Sequence, residues 1–365
     1  MRVVITHDVF TGQKYGGVSR YLVEVAKRMP ADVEVTVFAG LHVSAHLKEL
    51  PQVVGIRVPL WDNSSFLRRS LSAGSHHLRM WANDRLQGLL FRPDDAAVMH
   101  LSYYNGRTID RRWNVVVTVH DMIHELFPRY FPEKDPTPVW KRNSCQRADR
   151  IIAVSENTKS DLVRLLGIDP ARVEVIHHAS SLVRAYASPR NPLPRPYLLH
   201  VGTRAGYKNF ASLAKAYARS DRLRKDFDLV CFGGEPLNGD ERSLGVIRMT
   251  GDDAMLTTLY VHARAFVCPS LYEGFGIPVV EAMSLGCPVF SSDRSSLPEV
   301  AGDAAVYFDP EDVENMAGVL ERGLMDDDLL GRLRLRGVDR AQQFDWNKTA
   351  RATAAVYRSL TSAGL

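Results

Sequence analysis

Short apolar runs alternate with helical periodicity along the whole chain, and no other feature limits its fold so tightly. Arg2–Thr6 reads as a buried strand. Gly16 and Gly17 follow it, and then Val18, Tyr21, Leu22, Val25, Ala26 and Met29 fall on one helix face. Val33–Ala39, Ala97–His100 and Val115–His120 read as further strands. Ile151–Val154 is another, leading into a helix over Asn157–Leu166 that Gly167 stops. Val173–His177 closes this half. Strands alternating with helices imply a parallel sheet covered on both faces.

Four prolines (Pro189, Pro192, Pro194, Pro196) then interrupt both helix and sheet, so 189–196 reads as a linker. Beyond it the pattern restarts. Tyr197–Val201 is a strand, Gly202–Lys208 a polar loop, and Asn209–Arg219 a helix with Asn209 as its expected N-cap. Leu229–Phe232, Ala265–Cys268 and Pro288–Ser291 are strands, and Pro278–Leu285 a helix. The fold class is therefore α/β, with two Rossmann-like parallel-sheet domains in tandem. Ligands in such sheets bind beyond the carboxyl ends of the strands, so the two units imply one deep cleft between them. The length of 365 residues fits this count, at roughly 150 residues per domain.

Composition excludes several classes. Lys+Arg is 46 against Asp+Glu 42, too small an excess for a dedicated nucleic-acid binder. The four cysteines (Cys145, Cys231, Cys268, Cys287) form no C-x-x-C pair, so a reducing cytosol is expected rather than a zinc or disulfide framework. No run approaches about 18 apolar residues, and Met1 leads straight into the first strand. Residues 64–92 combine five arginines (Arg68, Arg69, Arg79, Arg85, Arg92) with Leu67, Leu71, Leu78, Leu86 and Leu89 at helical spacing. They read either as a pair of amphipathic helices packed on the N-terminal sheet or as a basic face touching anionic lipid or a phosphorylated acceptor.

Four segments carry chemistry. In the first, Glu273-Gly274-Phe275-Gly276-Ile277-Pro278 opens a helix that Gly286 ends, with Glu281 one turn inside. Pro278 suits the first turn, and the glycines remove bulk where free amides and the helix dipole attract an anion. Two carboxylates beside an anion site suit a ligand that is both sugar and phosphate. In the second, Arg204 and Lys208 flank a strand-to-helix loop. Cations at a helix N-terminus oppose its dipole, which points to a bound dianion. In the third, His120 ends an apolar strand, where α/β folds place reacting groups. The fourth is Gly16-Gly17, which lets a ligand approach the backbone. Pairs such as His120/His124 lack a third ligand, so no metal site is expected. Neither G-x-G-x-x-G after a strand nor a P-loop occurs. Asp226-Phe227-Asp228 matches D-x-D but reads as solvated surface.

These residues resemble glycosyltransferase family 4, the group 1 glycosyltransferases of the two-Rossmann GT-B fold. Glu273 through Glu281 match its E-x7-E motif, and Arg204 with Lys208 its diphosphate-binding pair. Thr118–Pro132, Ala148–Leu162, Leu297–Pro310 and Phe344-Asp345-Trp346 are also similar to it. The resemblance implies an acceptor domain over 1–188, a donor domain over 197–343, and a C-terminal segment over 344–365 that crosses back onto the first domain. It implies retaining transfer from a nucleotide diphosphate sugar, with no metal or other cofactor. Glu273 would contact the donor sugar and Glu281 the ribose. Gly16, Gly17 and the backbone of Gly274, Phe275, Gly276 and Ile277 would hold sugar and phosphate. Arg204 and Lys208 would stabilise the departing diphosphate, His120 would face the sugar, and the base would lie near Gly251–Leu256. The favoured picture is front-face attack, with the leaving phosphate accepting the acceptor's proton. The acceptor would be a glycan or lipid-linked glycan of bacterial surface polysaccharide, with mannose or a related hexose transferred and GDP suggested as the nucleotide. Two alternatives stay open, a silent nucleotide-binding subunit and a sugar-nucleotide epimerase. One departure stands out. Many members carry Asn-Gly before the linker, where this chain has His177-His178.

Overall fold

A computed structural model gives the fold and describes residues 1–58, 66–93 and 98–361, with the side chains of Glu49 and 66–74 outside that description. The first sheet holds β1 (Arg2–Ile5), β2 (Glu34–His42), β3 (Val53–Arg57), β4 (Val98–Leu101), β5 (Asn114–Val119), β6 (Arg150–Ala153) and β7 (Val173–Val175). The second holds β8 (Tyr197–Val201), β9 (Asp228–Phe232), β10 (Ile247–Met249), β11 (Ala265–Cys268), β12 (Val289–Ser292) and β13 (Ala305–Phe308). Their orders are β3-β2-β1-β4-β5-β6-β7 and β10-β9-β8-β11-β12-β13, parallel throughout. Both sheets reverse direction of growth beside their first strand, between β1 and β4 and between β8 and β11. A crevice opens at such a switch point.

The inner strands are apolar on both faces, as a doubly covered parallel sheet requires. Val3, Val4, Ile5, Val115, Val116, Val117, Ile151 and Ile152 are all buried, as are Leu198, Leu199, Phe266 and Val267 in the second sheet. One apolar cluster runs from the first sheet through Ala179 and Leu182 to Phe275, Phe344, Trp346 and Tyr357, so the two domains share packing. No helix or strand occurs over 187–196. The last helix, Trp346–Thr361, lies on the first domain. Its Tyr357 hydroxyl meets His100 Nδ1 at 2.6 Å, and Arg358 Nη2 meets Asp32 Oδ1 at 2.8 Å.

Some local readings need correction. Asn209 precedes its helix in the left-handed region (φ 56°) and makes no side-chain cap. Its amide donates instead to the carbonyls of Pro269 (3.1 Å) and Pro310 (2.7 Å), tying three loops together. The 64–92 segment forms one helix, Phe66–Leu90, rather than two. That helix turns Asn83 inward, where it receives the Leu41 amide at 2.7 Å and donates to Thr11 at 2.9 Å. Leu78, Leu86 and Leu89 therefore point to solvent, with Trp81 and Leu90, and not onto the sheet. Arg68, Arg69, Leu67 and Leu71 lie outside the described side chains. Among the described residues, no helix is long and apolar enough to cross a membrane.

Candidate active site

The switch point of the second sheet assembles the site. The loop after β8 supplies Lys208 and the loop after β11 supplies Glu273, and the two meet as an ion pair. Lys208 Nζ lies 2.8 and 2.9 Å from the two Glu273 carboxylate oxygens. The Ser270 hydroxyl adds a third donor at 2.6 Å. Glu273 is buried. Burial alone would depress the Lys208 ammonium, but the Glu273 carboxylate raises its pKa above the ordinary lysine value. Lys208 is thus held charged beside Glu273 and keeps one of its three N–H donors beyond the pair.

The backbone of this loop is fixed from both domains. The Glu273 amide donates to Ser295 Oγ at 2.8 Å, and Ser296 Oγ donates to the Glu273 carbonyl at 2.8 Å. Gly274 O accepts from Ser155 Oγ (2.7 Å) and Thr158 Oγ1 (3.1 Å), both at the start of helix Glu156–Leu166 in the first domain. Gly274 itself lies so close to the His120 carbonyl that a Cβ there would fall 1.7 Å from it. No other residue fits, which is the close approach that glycine permits. Gly276, at φ 97°, then turns the chain into helix Ile277–Ser284. Tyr272 adds an interdomain contact, its hydroxyl donating to Asp161 Oδ2 at 2.7 Å. Glu299 adds another. Its carboxylate receives the Glu156 amide (2.9 Å), the Asn157 amide (3.2 Å) and His177 Nε2 (2.8 Å).

On the first domain, Gly16 precedes helix Gly17–Lys27, and a Cβ on Gly17 would lie 3.7 Å from Ile277 Cδ1. The N-termini of two helices therefore approach each other here, one from each domain, and both present positive dipole ends. Arg20, one turn on, meets the Asp253 carboxylate across the domain boundary at 2.9 Å. Glu281 is buried behind this pair and accepts the Tyr260 hydroxyl at 3.2 Å. Burial pushes its pKa up to about 7, against the pull of Arg20 and Tyr260. Gly251 leads into helix Asp253–His262, which Asp252 caps and which buries Leu256.

His120 follows β5, with its amide on the Tyr104 hydroxyl at 3.2 Å. Burial lowers its pKa to about 4, the nearby Asp121 carboxylate only partly opposing this, so the ring is a neutral imidazole at pH 7. Arg204 departs from the sequence expectation. Its Nε bonds Glu241 at 2.9 Å, and its other nitrogens bond the carbonyls of Gly233, Glu235 and Pro236. A guanidinium buried this way is committed to its carboxylate and to the turn after β9. Of the two cations, Lys208 is the one that pairs with the Glu273 loop. Among the described residues, no group of three or more His, Cys, Asp or Glu stands ready to hold a metal ion.

Sequence reasoning missed Ser155, Thr158, Arg20, Tyr260 and Glu299. Ser155-x-x-Thr158 ahead of an apolar-periodic helix was a readable N-cap signal. The others act over long sequence separations that no local pattern carries.

The solved structures that resemble this chain include sucrose-phosphate synthase of Thermosynechococcus elongatus, with a TM-score of 0.73 at 18% identity over 99% of both chains. WaaG, a glycosyltransferase involved in lipopolysaccharide biosynthesis, gives 0.72 at 15% identity over 98% of this chain and 99% of that one. These likenesses define the class as a GT-B fold. The glycosyltransferase family 4 model matches residues 15–184, and the glycosyl transferases group 1 model matches 186–340. The O-antigen chain mannosyltransferase B of Escherichia coli is 31% identical over 94% of this chain and 96% of its own. The chain belongs to the group 1 glycosyltransferases, glycosyltransferase family 4.

Proposed function

We propose that this glycosyltransferase moves mannose, or a related hexose, from a GDP-linked donor to a glycan or lipid-linked acceptor of bacterial surface polysaccharide, with retention at the anomeric carbon and without a metal. The Lys208–Glu273 pair, on the loop that leads into one of two facing helix N-termini, is the observation that carries this reading. A diphosphate takes the dipole ends and the remaining Lys208 donor, while Glu273 accepts sugar hydroxyls and Glu281 those of the ribose. The bond from the anomeric carbon to the phosphate oxygen breaks as the acceptor oxygen bonds on the same face. The acceptor's proton passes to the departing phosphate. His120, being neutral, offers hydrogen bonds without adding charge to the sugar side. The Escherichia coli relative, an O-antigen chain mannosyltransferase, supports the choice of mannose.

The test is a thermal-shift panel of GDP, UDP, dTDP and ADP with and without Mg²⁺, followed by transfer from GDP-mannose to an α-mannoside in EDTA. A ligand bound only by the folded state stabilises it by about 2.7 kcal/mol at a hundredfold excess over Kd. GDP is expected to raise the midpoint equally with and without Mg²⁺. No shift with any nucleotide, or transfer that requires the metal, contradicts the reading.

The outward face of helix Phe66–Leu90 supports a second part of the proposal, peripheral contact with anionic membrane. Leu78, Trp81 and Leu89 are more than half exposed, and the Arg85 guanidinium lies 5.5 Å over the Trp81 ring. An apolar face with arginines among it suits the boundary of an anionic bilayer. Trp81→Glu with Leu89→Glu is expected to abolish flotation with phosphatidylglycerol vesicles and leave nucleotide binding unchanged. Undiminished flotation of the double variant rejects this contact.

A further inference from the structure

His178 closes the His177-His178 pair ahead of the linker, and the structure stacks it against His120. It is 4% exposed. Its ring lies nearly parallel to that of His120, with centroids 5.6 Å apart and an interplanar angle of 17°. Phe275 of the donor loop meets it edge-on at 5.3 Å, and Tyr21 of helix Gly17–Lys27 at 4.6 Å. Trp346 of the last helix closes the cage at 6.0 Å. One ring thus touches both domains, the E-x7-E loop and the crossing helix.

Its Nδ1 is buried without a hydrogen-bond partner. A buried polar atom left unsatisfied costs stability, so hydrogen bonding through that nitrogen does not account for a histidine here. What the ring does provide is a flat face at stacking distance from His120, an arrangement that aromatic pairs favour. Tyr21, which meets His120 edge-on at 5.3 Å, is itself held by Thr118, whose hydroxyl also meets His100 at 3.0 Å. His120 is therefore braced on one side by an anchored tyrosine and on another by His178.

We propose that His178 is a positioning residue: by stacking on His120 and packing against Phe275, it fixes the His120 imidazole toward the donor sugar. This rests on the reading that His120 faces that sugar. His178 needs no contact with substrate in this role. It works through ring shape.

Three variants separate shape from hydrogen bonding. His178→Ala removes the ring, His178→Asn keeps a polar amide without it, and His178→Phe keeps a flat ring without the nitrogens. With GDP-mannose and an α-mannoside, His178→Ala and His178→Asn are expected to lose more than tenfold in kcat with donor KM within twofold of the parent. His178→Phe should retain at least a third of the parent kcat. Full kcat in His178→Asn, or a loss in His178→Phe as deep as in His178→Ala, overturns the proposal. So does a loss carried by KM alone. His120→Ala is the control for the underlying reading. If it transfers at the parent rate, the assignment of His120 fails, and the role of His178 fails with it. If it is inactive while His178→Ala is fully active, only the positioning role fails.

Discussion

Glu273→Ala is expected to lower kcat/KM by about a thousandfold while the chain stays folded. The backbone at 273 is pinned by Ser295 and Ser296, and its neighbour Gly274 by Ser155 and Thr158, none of which uses the Glu273 side chain. Truncation therefore leaves the loop in place. It removes the acceptor for sugar hydroxyls and strands the Lys208 ammonium in a buried site. A charge-assisted hydrogen bond contributes about 1.5–3 kcal/mol, and Glu273 receives three, from both Lys208 contacts and from Ser270. Lys208→Ala should fall in the same range, because the leaving diphosphate loses its cation and Glu273 its counter-charge. The two residues act as one unit, so the double variant should lose little more than either single variant. Steady-state transfer with a GDP thermal shift on each protein measures this. A Glu273→Ala enzyme within tenfold of the parent would show that the sugar is bound elsewhere.

The sequence carried the parts of this molecule that local physics dictates. Apolar strand runs, the Gly167 stop and the proline-rich break are short-range signals, and the inner strands sit close to where those signals put them. Two edge strands, β3 and β10, escape this reading, while the edge strand β7 falls within Val173–His177. β3 is largely exposed and interrupted by Gly55, and β10 has three residues, so neither shows an apolar run. The 64–92 segment misled in another way. Helical leucine spacing implies an apolar face, but not which way it points, and buried Asn83 decided the direction. In the site, the Lys208–Glu273 pairing lay one step beyond the sequence, which showed both residues but not their contact. The partner of Arg204 could not be read at all. Glu241 is 37 residues away on a helix of its own, and only the turn after β9 brings it close. The His177-His178 pair is visible in the sequence, and the stack of His178 on His120 takes the fold to see.

Glu281 makes the protein's stability depend on pH in a way its nucleotide should reverse. Its carboxyl titrates near 7 in the folded chain, because burial disfavours the charge more than Arg20 and the Tyr260 hydroxyl favour it, against 4.5 ordinarily. A raised carboxyl pKa means that between these values the folded state holds a proton the unfolded state has released. This group's contribution is thus fully present below pH 4.5 and is lost as pH rises through 7. At roughly 1.4 kcal/mol per unit, the loss is on the order of 3 kcal/mol. Glu281→Gln cannot ionise, so its midpoint should gain on the parent's from pH 5 to about pH 7 and level off by pH 8. Ribose hydroxyls donate best to the ionised carboxylate, so binding GDP should pull the proton off. GDP affinity in the parent is then expected to rise with pH up to about 7 and level off above it, while Glu281→Gln binds more weakly with a flatter profile. Calorimetry at pH 6.5 in buffers of differing ionisation enthalpy reads the released proton directly. A parent and Glu281→Gln pair whose midpoints stay parallel from pH 5 to pH 8 would show that the carboxyl is already ionised in the folded chain, leaving GDP no proton to displace.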